Sequence, residues 1–261
     1  MTQKRLRLGI LGNPAKHSLS PALHRAALAD LAIEGSYDAW EVDVDGAKQV
    51  LEDLRRGSID GCNVTMPFKG LAFDYMDRRS ELAERTGAVN TVVAADGELV
   101  GHNTDVGGIV GAWRYRHLPA DGRVLVLGAG SAAAAALVAL EDRDIVVAAR
   151  SEEAARAVIR KTGSRGVAVA WGTPIAGVVV NATPIGMNGT QHTPAVVEAA
   201  TGWFEMVYAY GTTDAERTSL LNGKPVSSGT DMLLHQALLA FRIWTGVEPR
   251  FDAMAAALPV V

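Results

Sequence analysis

Gly128-Ala129-Gly130-Ser131-Ala132-Ala133 follows the apolar run Arg123–Leu127 and opens an alanine-rich stretch compatible with a helix. It matches the pattern G-x-G-x-x-A. Between a strand and a helix, the first glycine permits a tight turn and the second lets a pyrophosphate approach the backbone. The small third residue, Ala133, lets helix and strand pack closely, and the helix N-terminus attracts negative charge. Three small residues say little alone in a chain with 27 glycines, and tight packing is the competing explanation. The strand before and the helix after carry the reading of a dinucleotide site. Where an NAD-binding protein places an acid for the ribose 2′-hydroxyl, this chain has Ala148-Ala149-Arg150-Ser151. A guanidinium suits a 2′-phosphate, so NADP is expected over NAD.

A second set of residues puts polar side chains at strand ends. His17-Ser18-Leu19-Ser20-Pro21 offers two hydroxyls before a helix, and Asn63-Val64-Thr65-Met66-Pro67-Phe68-Lys69 closes an apolar strand with an amide, a hydroxyl and an ammonium. Gly87-Ala88-Val89-Asn90-Thr91 and His102-Asn103-Thr104-Asp105 add two more. Each has an ordinary use: Ser20 as a helix cap, Asn90 in a turn, Asp105 at a helix start, Lys69 on a solvated surface. Together with a redox-cofactor site they point to a polyhydroxylated, anionic small molecule bound by hydroxyls, amides and one ammonium. Reducing a ketone by hydride develops negative charge on oxygen, which needs a proton donor or a cation within reach. A lysine paired with an aspartate supplies both. No metal is expected, since the histidines show no ligand spacing, and His17, His24 and His235 read as structural or peripheral.

These groups need a scaffold. Apolar, β-competent runs fall at Arg5–Leu11, Tyr37–Val44 and Ile59–Thr65. Ser20 and Asp45 read as caps of helices bearing Leu23, Ala27 and Leu31, and Val50, Leu51 and Leu54. Thr91–Ala95 and Glu98–His102 flank Asp96-Gly97, a hairpin signal. After Asp105 the pattern changes to β-α-β-α-β, with strands at Arg123–Leu127, Asp144–Ala149, Val167–Ala170 and Val178–Val180, which implies a parallel doubly wound sheet. A last helix runs from about Asp231 to Trp244. The expected fold is α/β in two domains: a mixed α/β substrate domain over residues 1–105, completed by helices in 232–261, and a Rossmann-type NADP domain over 106–231. Composition agrees. The 261 residues carry a net charge of −4 and 48% hydrophobic side chains, with one cysteine, Cys62. Mild acidity argues against nucleic acid, the lone cysteine excludes a disulfide framework, and no run approaches a membrane span. A cytoplasmic protein is expected, monomeric or homodimeric.

The ordered set of Ser18-Leu19-Ser20, Asn63–Lys69, Gly87–Val92, His102–Asp105, Gly128–Ala133, Asn181–Met187 and Met232–Gly246 closely resembles the shikimate/quinate dehydrogenase family across nearly the whole chain. The resemblance implies two α/β domains around a cleft and reversible, NADPH-dependent reduction of 3-dehydroshikimate to shikimate. It further implies that Ser18 and Ser20 contact the substrate carboxylate, and that Asn63, Thr65, Asn90 and Gln236 hold hydroxyls and carboxylate, with Tyr208 nearby. Lys69 and Asp105 would be the catalytic pair. Gly128, Gly130, Ser131 and Ala132 would line the pyrophosphate and Arg150 the 2′-phosphate, with Thr183, Gly229 and Met232 along the rest of the cofactor path. A quinate or aminoshikimate dehydrogenase and a non-catalytic ligand sensor are alternatives; the presence of both Lys69 and Asp105 argues against the sensor. A methylenetetrahydrofolate dehydrogenase fits poorly with the serine pair and Asn63–Lys69.

The chain departs from the family pattern at Arg25, Ser131, Ala134 and Tyr208-Ala209-Tyr210, and at Asp231, where a glycine is usual. A carboxylate at 231 has two readings. It stands beside a nicotinamide ring and favours the cationic oxidised form, or it caps the last helix with its side chain turned to solvent.

Overall fold

The first apolar run forms β1 (Leu6–Gly12), an interior strand whose residues from Leu8 to Gly12 are all buried. It is followed by α1 (Ser20–Asp30), β2 (Gly35–Glu41), α2 (Val44–Arg55), β3 (Gly61–Val64), α3 (Lys69–Tyr75), β4 (Arg78–Arg79), α4 (Glu81–Thr86), β5 (Thr91–Ala95) and β6 (Glu98–His102). The computed structural model describes residues 5–208 and 211–259. Its strands make a six-stranded sheet in the order β2-β1-β3-β5-β6-β4, in which β5 alone runs against the others. Ile10 lies beside Asn63, Asn63 beside Thr91, and Thr91 beside His102 across successive strands. The amphipathic helix α2 presents Ala47, Leu51 and Leu54, at helical spacing, to the core formed with Cys62, Val64, Val92 and Leu99.

The chain continues with α5 (Asp105–Tyr115), β7 (Arg123–Leu127), α6 (Ser131–Ala139), β8 (Asp144–Ala148), α7 (Glu152–Thr162), β9 (Val167–Val169), β10 (Val178–Asn181), α8 (Pro194–Ala199), β11 (Gly202–Glu205), α9 (Asp214–Leu221) and β12 (Val226–Ser227). These strands form a second, all-parallel sheet, β9-β8-β7-β10-β11-β12. In chain order that is 3-2-1-4-5-6, the doubly wound arrangement with its switch point between β7 and β10. Leu125, Leu127, Val179 and Trp203 are buried at its centre. Finally α10 (Gly229–Thr245) and α11 (Phe251–Ala255) follow. The described chain divides into two units, one running to Thr104 and resuming at Gln236, the other spanning Asp105–His235. Within the first unit, Trp244 of α10 donates its indole N–H to the carbonyl of Val92 at 3.0 Å, and Arg250 pairs with Asp30 of α1 at 2.7 Å. Among the described residues no helix is long and apolar enough to cross a membrane.

The architecture is α/β with one mixed and one parallel sheet, as the periodicity predicts. Two caps differ. Asp43, not Asp45, caps α2, accepting from the N–H of Gly46 at 2.8 Å, and β2 therefore stops at Glu41 rather than Val44. Ser20 lies inside α1, whose cap position is Leu19 without a side-chain bond. Proline tolerates the second helical position as well as the first, because that N–H also has no partner within the helix.

One buried group ties the first unit to pH. His24 on α1 is fully buried, stacked on Tyr37 at 4.4 Å between ring centres and flanked by Trp244 at 5.1 Å. Burial pulls its pKa down to about 3, with Asn63 opposing weakly. A base whose pKa is depressed by folding contributes stability above its unfolded value of about 6.5, and that stability drains away as the pH falls towards 3. Urea unfolding of the protein is therefore expected to show a loss of about 2–3 kcal/mol from this group between about pH 7.5 and 4.5. His24→Phe keeps the stacking and removes the titration, so its acid loss should be smaller by that amount; an equal loss would contradict the assignment.

Candidate active site

The carboxyl ends of β1, β3 and β6 share one edge of the mixed sheet, because these three strands are mutually parallel; β5 begins there because it runs the other way. Asn63 therefore meets Asn90 and Thr91 at this edge, and all three are buried. The Asn63 amide donates to Thr91 Oγ1 at 3.1 Å and to the carbonyl of Asn90 at 3.2 Å, while its own Oδ1 accepts from the Tyr37 hydroxyl at 2.6 Å. The Thr91 hydroxyl donates to Asn90 Oδ1 at 3.1 Å, which also takes the backbone N–H of Thr104 at 2.7 Å. Asn90 Nδ2 donates to Thr104 Oγ1 at 3.0 Å, and Thr104 Oγ1 passes its own hydrogen to Gln236 Oε1 of α10 at 3.2 Å. The two Asn63 amide hydrogens and the Tyr37, Thr91 and Thr104 hydroxyls each have an acceptor within this network. A buried amide left without its partner costs about 1–3 kcal/mol, so the network admits essentially one set of amide orientations. Of the predicted substrate residues, the structure brings Asn63, Asn90 and Gln236 together. Tyr37, Thr91 and Thr104, which the sequence reading assigned no role, connect them.

The loops at that edge carry the remaining polar groups. Glu41 at the end of β2 accepts the N–H groups of Ala15 at 3.0 Å and Lys16 at 3.3 Å, and Lys16 adds its ammonium at 3.2 Å. The two N–H groups, more than the ammonium, hold the Glu41 carboxyl below its usual range. Anchored this way, the loop turns into α1 with Ser18 Oγ accepting the N–H of Ser20 at 3.2 Å; Ser18 is half-buried and Ser20 buried. Beyond β3, Thr65 bonds its N–H to Leu11 of β1 at 2.8 Å and accepts Phe68 at 2.9 Å, placing Lys69 as the first residue of α3. Lys69 is half-buried, and its carbonyl accepts the N–H of Val89 at 3.1 Å. Asp105, three residues past β6, opens α5 and is buried.

In the second unit the glycine turn lies at the carboxyl end of β7, beside the switch point. Gly128 sits at φ 121°, and a side chain there would stand 2.7 Å from the carbonyl of Ala182. Gly130 occupies the cap position of α6, with open space where its side chain would be, and Ala133 is buried beneath. Ser131 and Ala132 form the first turn of α6. These features fit a pyrophosphate approaching backbone N–H groups. Arg150 is exposed just past the end of β8. Thr183 follows β10, its N–H and hydroxyl both donated to Asn181 Oδ1, at 3.1 and 2.6 Å. Tyr208 is half-buried after β11, and Ala209 and Tyr210 lie outside the described residues. Gly229 seats α10 against this loop, for a side chain there would fall 2.1 Å from the carbonyl of Val207; Met232 is buried one turn on. Among the described residues no three His, Cys, Asp or Glu side chains are placed to hold a metal ion.

Asp231 takes part in the helix cap, but its side chain is buried against a guanidinium and does not turn to solvent. Its Oδ2 accepts the N–H of Ser228 at 2.7 Å while Ser228 Oγ accepts the N–H of Asp231 at 3.3 Å, a reciprocal capping pair at the start of α10. Both carboxylate oxygens also hold Arg116, Nη2 to Oδ1 and Nε to Oδ2, each at 2.8 Å. The carboxylate is therefore paired with a guanidinium, which weakens any field it exerts on a nicotinamide ring. Asp231→Gly should lower stability by about 1–2 kcal/mol and leave the ratio of dissociation constants for oxidised and reduced dinucleotide unchanged in fluorescence titration. A shifted ratio would restore the electrostatic reading.

Comparison with known proteins places these features in a family. The shikimate dehydrogenase substrate binding domain matches residues 10–92, and the shikimate 5′-dehydrogenase C-terminal domain matches residues 229–258. The shikimate dehydrogenase (NADP⁺) of Thermus thermophilus is 37% identical over 249 residues, covering 94% of each chain. The crystal structure of shikimate 5-dehydrogenase from Thermus thermophilus with NADP(H) and shikimate superimposes with a TM-score of 0.89 at 36% identity, covering 97% of this chain and 98% of that one. The Listeria monocytogenes enzyme in complex with shikimate and NAD gives 0.85 at 29% identity, covering 98% and 97%.

Proposed function

The chain belongs to the shikimate dehydrogenase family of oxidoreductases, and from that premise we propose that it reduces 3-dehydroshikimate reversibly to shikimate with NADPH. The observation that carries the reading is the buried amide and hydroxyl network joining Asn63, Asn90 and Gln236 at the edge where the loops of Ser18, Thr65 and Lys69 begin. Such an edge presents oriented polar groups to a compact, polyhydroxylated ring acid, with little reorganisation on binding. Ser18 and Ser20 take the carboxylate, and Asn63, Thr65, Asn90 and Gln236 hold hydroxyls and carboxylate, with Tyr208 beside them. In this reading the first unit binds substrate and the second binds the dinucleotide.

The cofactor is a nicotinamide dinucleotide, which when bound gives hydride to the ketone and takes it back from the alcohol. Gly128, Gly130, Ser131 and Ala132 receive its pyrophosphate, Arg150 the 2′-phosphate that marks NADP, and Thr183, Gly229 and Met232 the remainder. Lys69 and Asp105 serve the reacting oxygen. As negative charge grows there, the Lys69 ammonium donates a proton to it and recovers one from solvent; in the oxidative direction neutral Lys69 removes the hydroxyl proton. Asp105 aligns the lysine on the reacting oxygen.

Lys69→Ala should lower kcat by roughly 10²-fold or more, with a much smaller change in substrate affinity. Asp105→Asn should also slow turnover, and the double variant should lose far less than the product of the two. Lost affinity with kcat intact would make Lys69 a binding residue only. Arg150→Ala should weaken NADP by about 1–2 kcal/mol, the exposed position being screened by salt, and leave NAD nearly untouched. Equal losses for both would remove Arg150 from phosphate recognition.

A further inference from the structure

A carboxylate the proposed chemistry does not use lies at the centre of the second unit. Glu205 ends β11 and is fully buried. Its Oε1 accepts Asn181 Nδ2 at 2.7 Å and the N–H groups of Met206 and Val207, each at 3.0 Å; its Oε2 accepts Trp203 Nε1 at 3.1 Å and Thr213 Oγ1 at 3.2 Å. Four of these five groups can only donate, and the fifth, Thr213 Oγ1, already accepts the N–H of Glu216 at 3.2 Å. A proton on Oε1 would face three donors, and a proton on Oε2 would have to displace the Thr213 hydroxyl hydrogen. The Asn181 amide cannot turn to relieve this, because its Oδ1 is held by Thr183 N and Oγ1 and its Nδ2 also donates to the Ile185 carbonyl at 2.9 Å. The arrangement thus favours an ionised carboxylate, and a proton can enter only by reorienting Thr213 or breaking a bond to Oε1. The arrangement runs in one direction to Thr183 and in the other to Met206 and Val207, which lead to Tyr208.

We infer that Glu205 is a positioning residue whose ionised carboxylate sets both loops, so that the grip of the second unit on its dinucleotide weakens when Glu205 takes up a proton. This rests on the dinucleotide reading above. The surroundings make the proton accessible. Burial lifts the Glu205 carboxyl to about 7 against the pull of its donors, and Glu216 adds repulsion. Glu216 is itself raised by burial, with Asp231 adding to the rise, and Asp231 is paired with Arg116. His192 packs edge-on against Trp203 at 5.1 Å and, its pKa lowered by burial to about 4, remains neutral while Glu205 titrates. Affinity should therefore be full above about pH 8 and fall as the pH drops through 7.

The test has two arms. In the cofactor-free protein, the Trp203 indole N–H and the Val207 amide are followed by heteronuclear NMR from about pH 6 to 8.5; both should shift with one common midpoint near 7. In the second arm, the NADP dissociation constant is measured across the same range for the wild type, Glu205→Gln and Glu205→Asp. The 2′-phosphate titrates identically in all three and cancels in ratios between them. The wild type should weaken roughly 3- to 10-fold relative to Glu205→Gln on acidification. Glu205→Gln should be about 10-fold weaker at the alkaline end, and Glu205→Asp should restore the pH dependence. Trp203 and Val207 signals that do not titrate together, or a constant ratio between wild type and Glu205→Gln, would overturn the inference. The first arm needs no variant and decides even if Glu205→Gln fails to fold. Failure to bind NADP at any pH, with the NMR titration intact, would instead sink the dinucleotide reading.

Discussion

The constraint on which the first unit depends is that four buried polar side chains, Asn63, Asn90, Thr91 and Thr104, must satisfy one another away from water. They come from β3, from the turn into β5, from β5 itself and from the exit of β6, so their bonds fix the register of three strands at one edge. A slip by one residue would turn Asn63 and Thr91 to the opposite face and leave amides unpaired in the core. The stack of His24, Tyr37 and Trp244 lies behind, and the Tyr37 hydroxyl reaches Asn63 from it. The same residues therefore hold the sheet together and present the polar edge. In the proposed function that coupling helps, since the orientation of the amides is settled during folding.

The second unit repeats the logic with a charge in place of a chain of amides. Glu205 and Asn181 stand at the ends of neighbouring strands β11 and β10, paired in register, and their mutual bond continues into the loops that follow each strand. The switch point between β7 and β10 supplies the crevice that the strand order demands, and Gly128 provides the close approach of the two turns beside it. Charged side chains elsewhere are mostly exposed pairs such as Arg160 with Glu153, which contribute little. Asp231 with Arg116 differs because the carboxylate is buried, bidentate and part of a helix cap.

Much of this is written locally in the sequence. The glycine turn after Arg123–Leu127, the hairpin at Asp96-Gly97 and the alternation that makes a parallel sheet depend on neighbours within a few residues, and the structure has them. Short elements are another matter: α3, α4, α8 and β12 span 2 to 7 residues, too few to show a period. Caps shifted by a residue or two, as at Asp43 and Leu19, because several oxygens lay near each helix start. The partners of the polar residues were illegible for a different reason. Tyr37 lies 26 residues from Asn63, Gln236 lies 132 from Thr104, and Arg116 lies 115 from Asp231. No spacing rule links such pairs; only the assembled sheet does. Glu205 left one sign, an acid inside the apolar run Trp203–Val207, which is unusual in a central strand and would have marked it as a buried hub.

The central claim is that the amide and hydroxyl edge of the mixed sheet is built for a hydroxylated ring acid and works with a 2′-phosphorylated dinucleotide. The most direct measurement is the appearance of reduced-nicotinamide absorbance when the protein is given shikimate, quinate or aminoshikimate, each with NADP and with NAD. The account predicts the highest kcat/KM for shikimate with NADP. A preference for quinate or aminoshikimate, a preference for NAD, or no reduction of either dinucleotide with any of the three acids would contradict it.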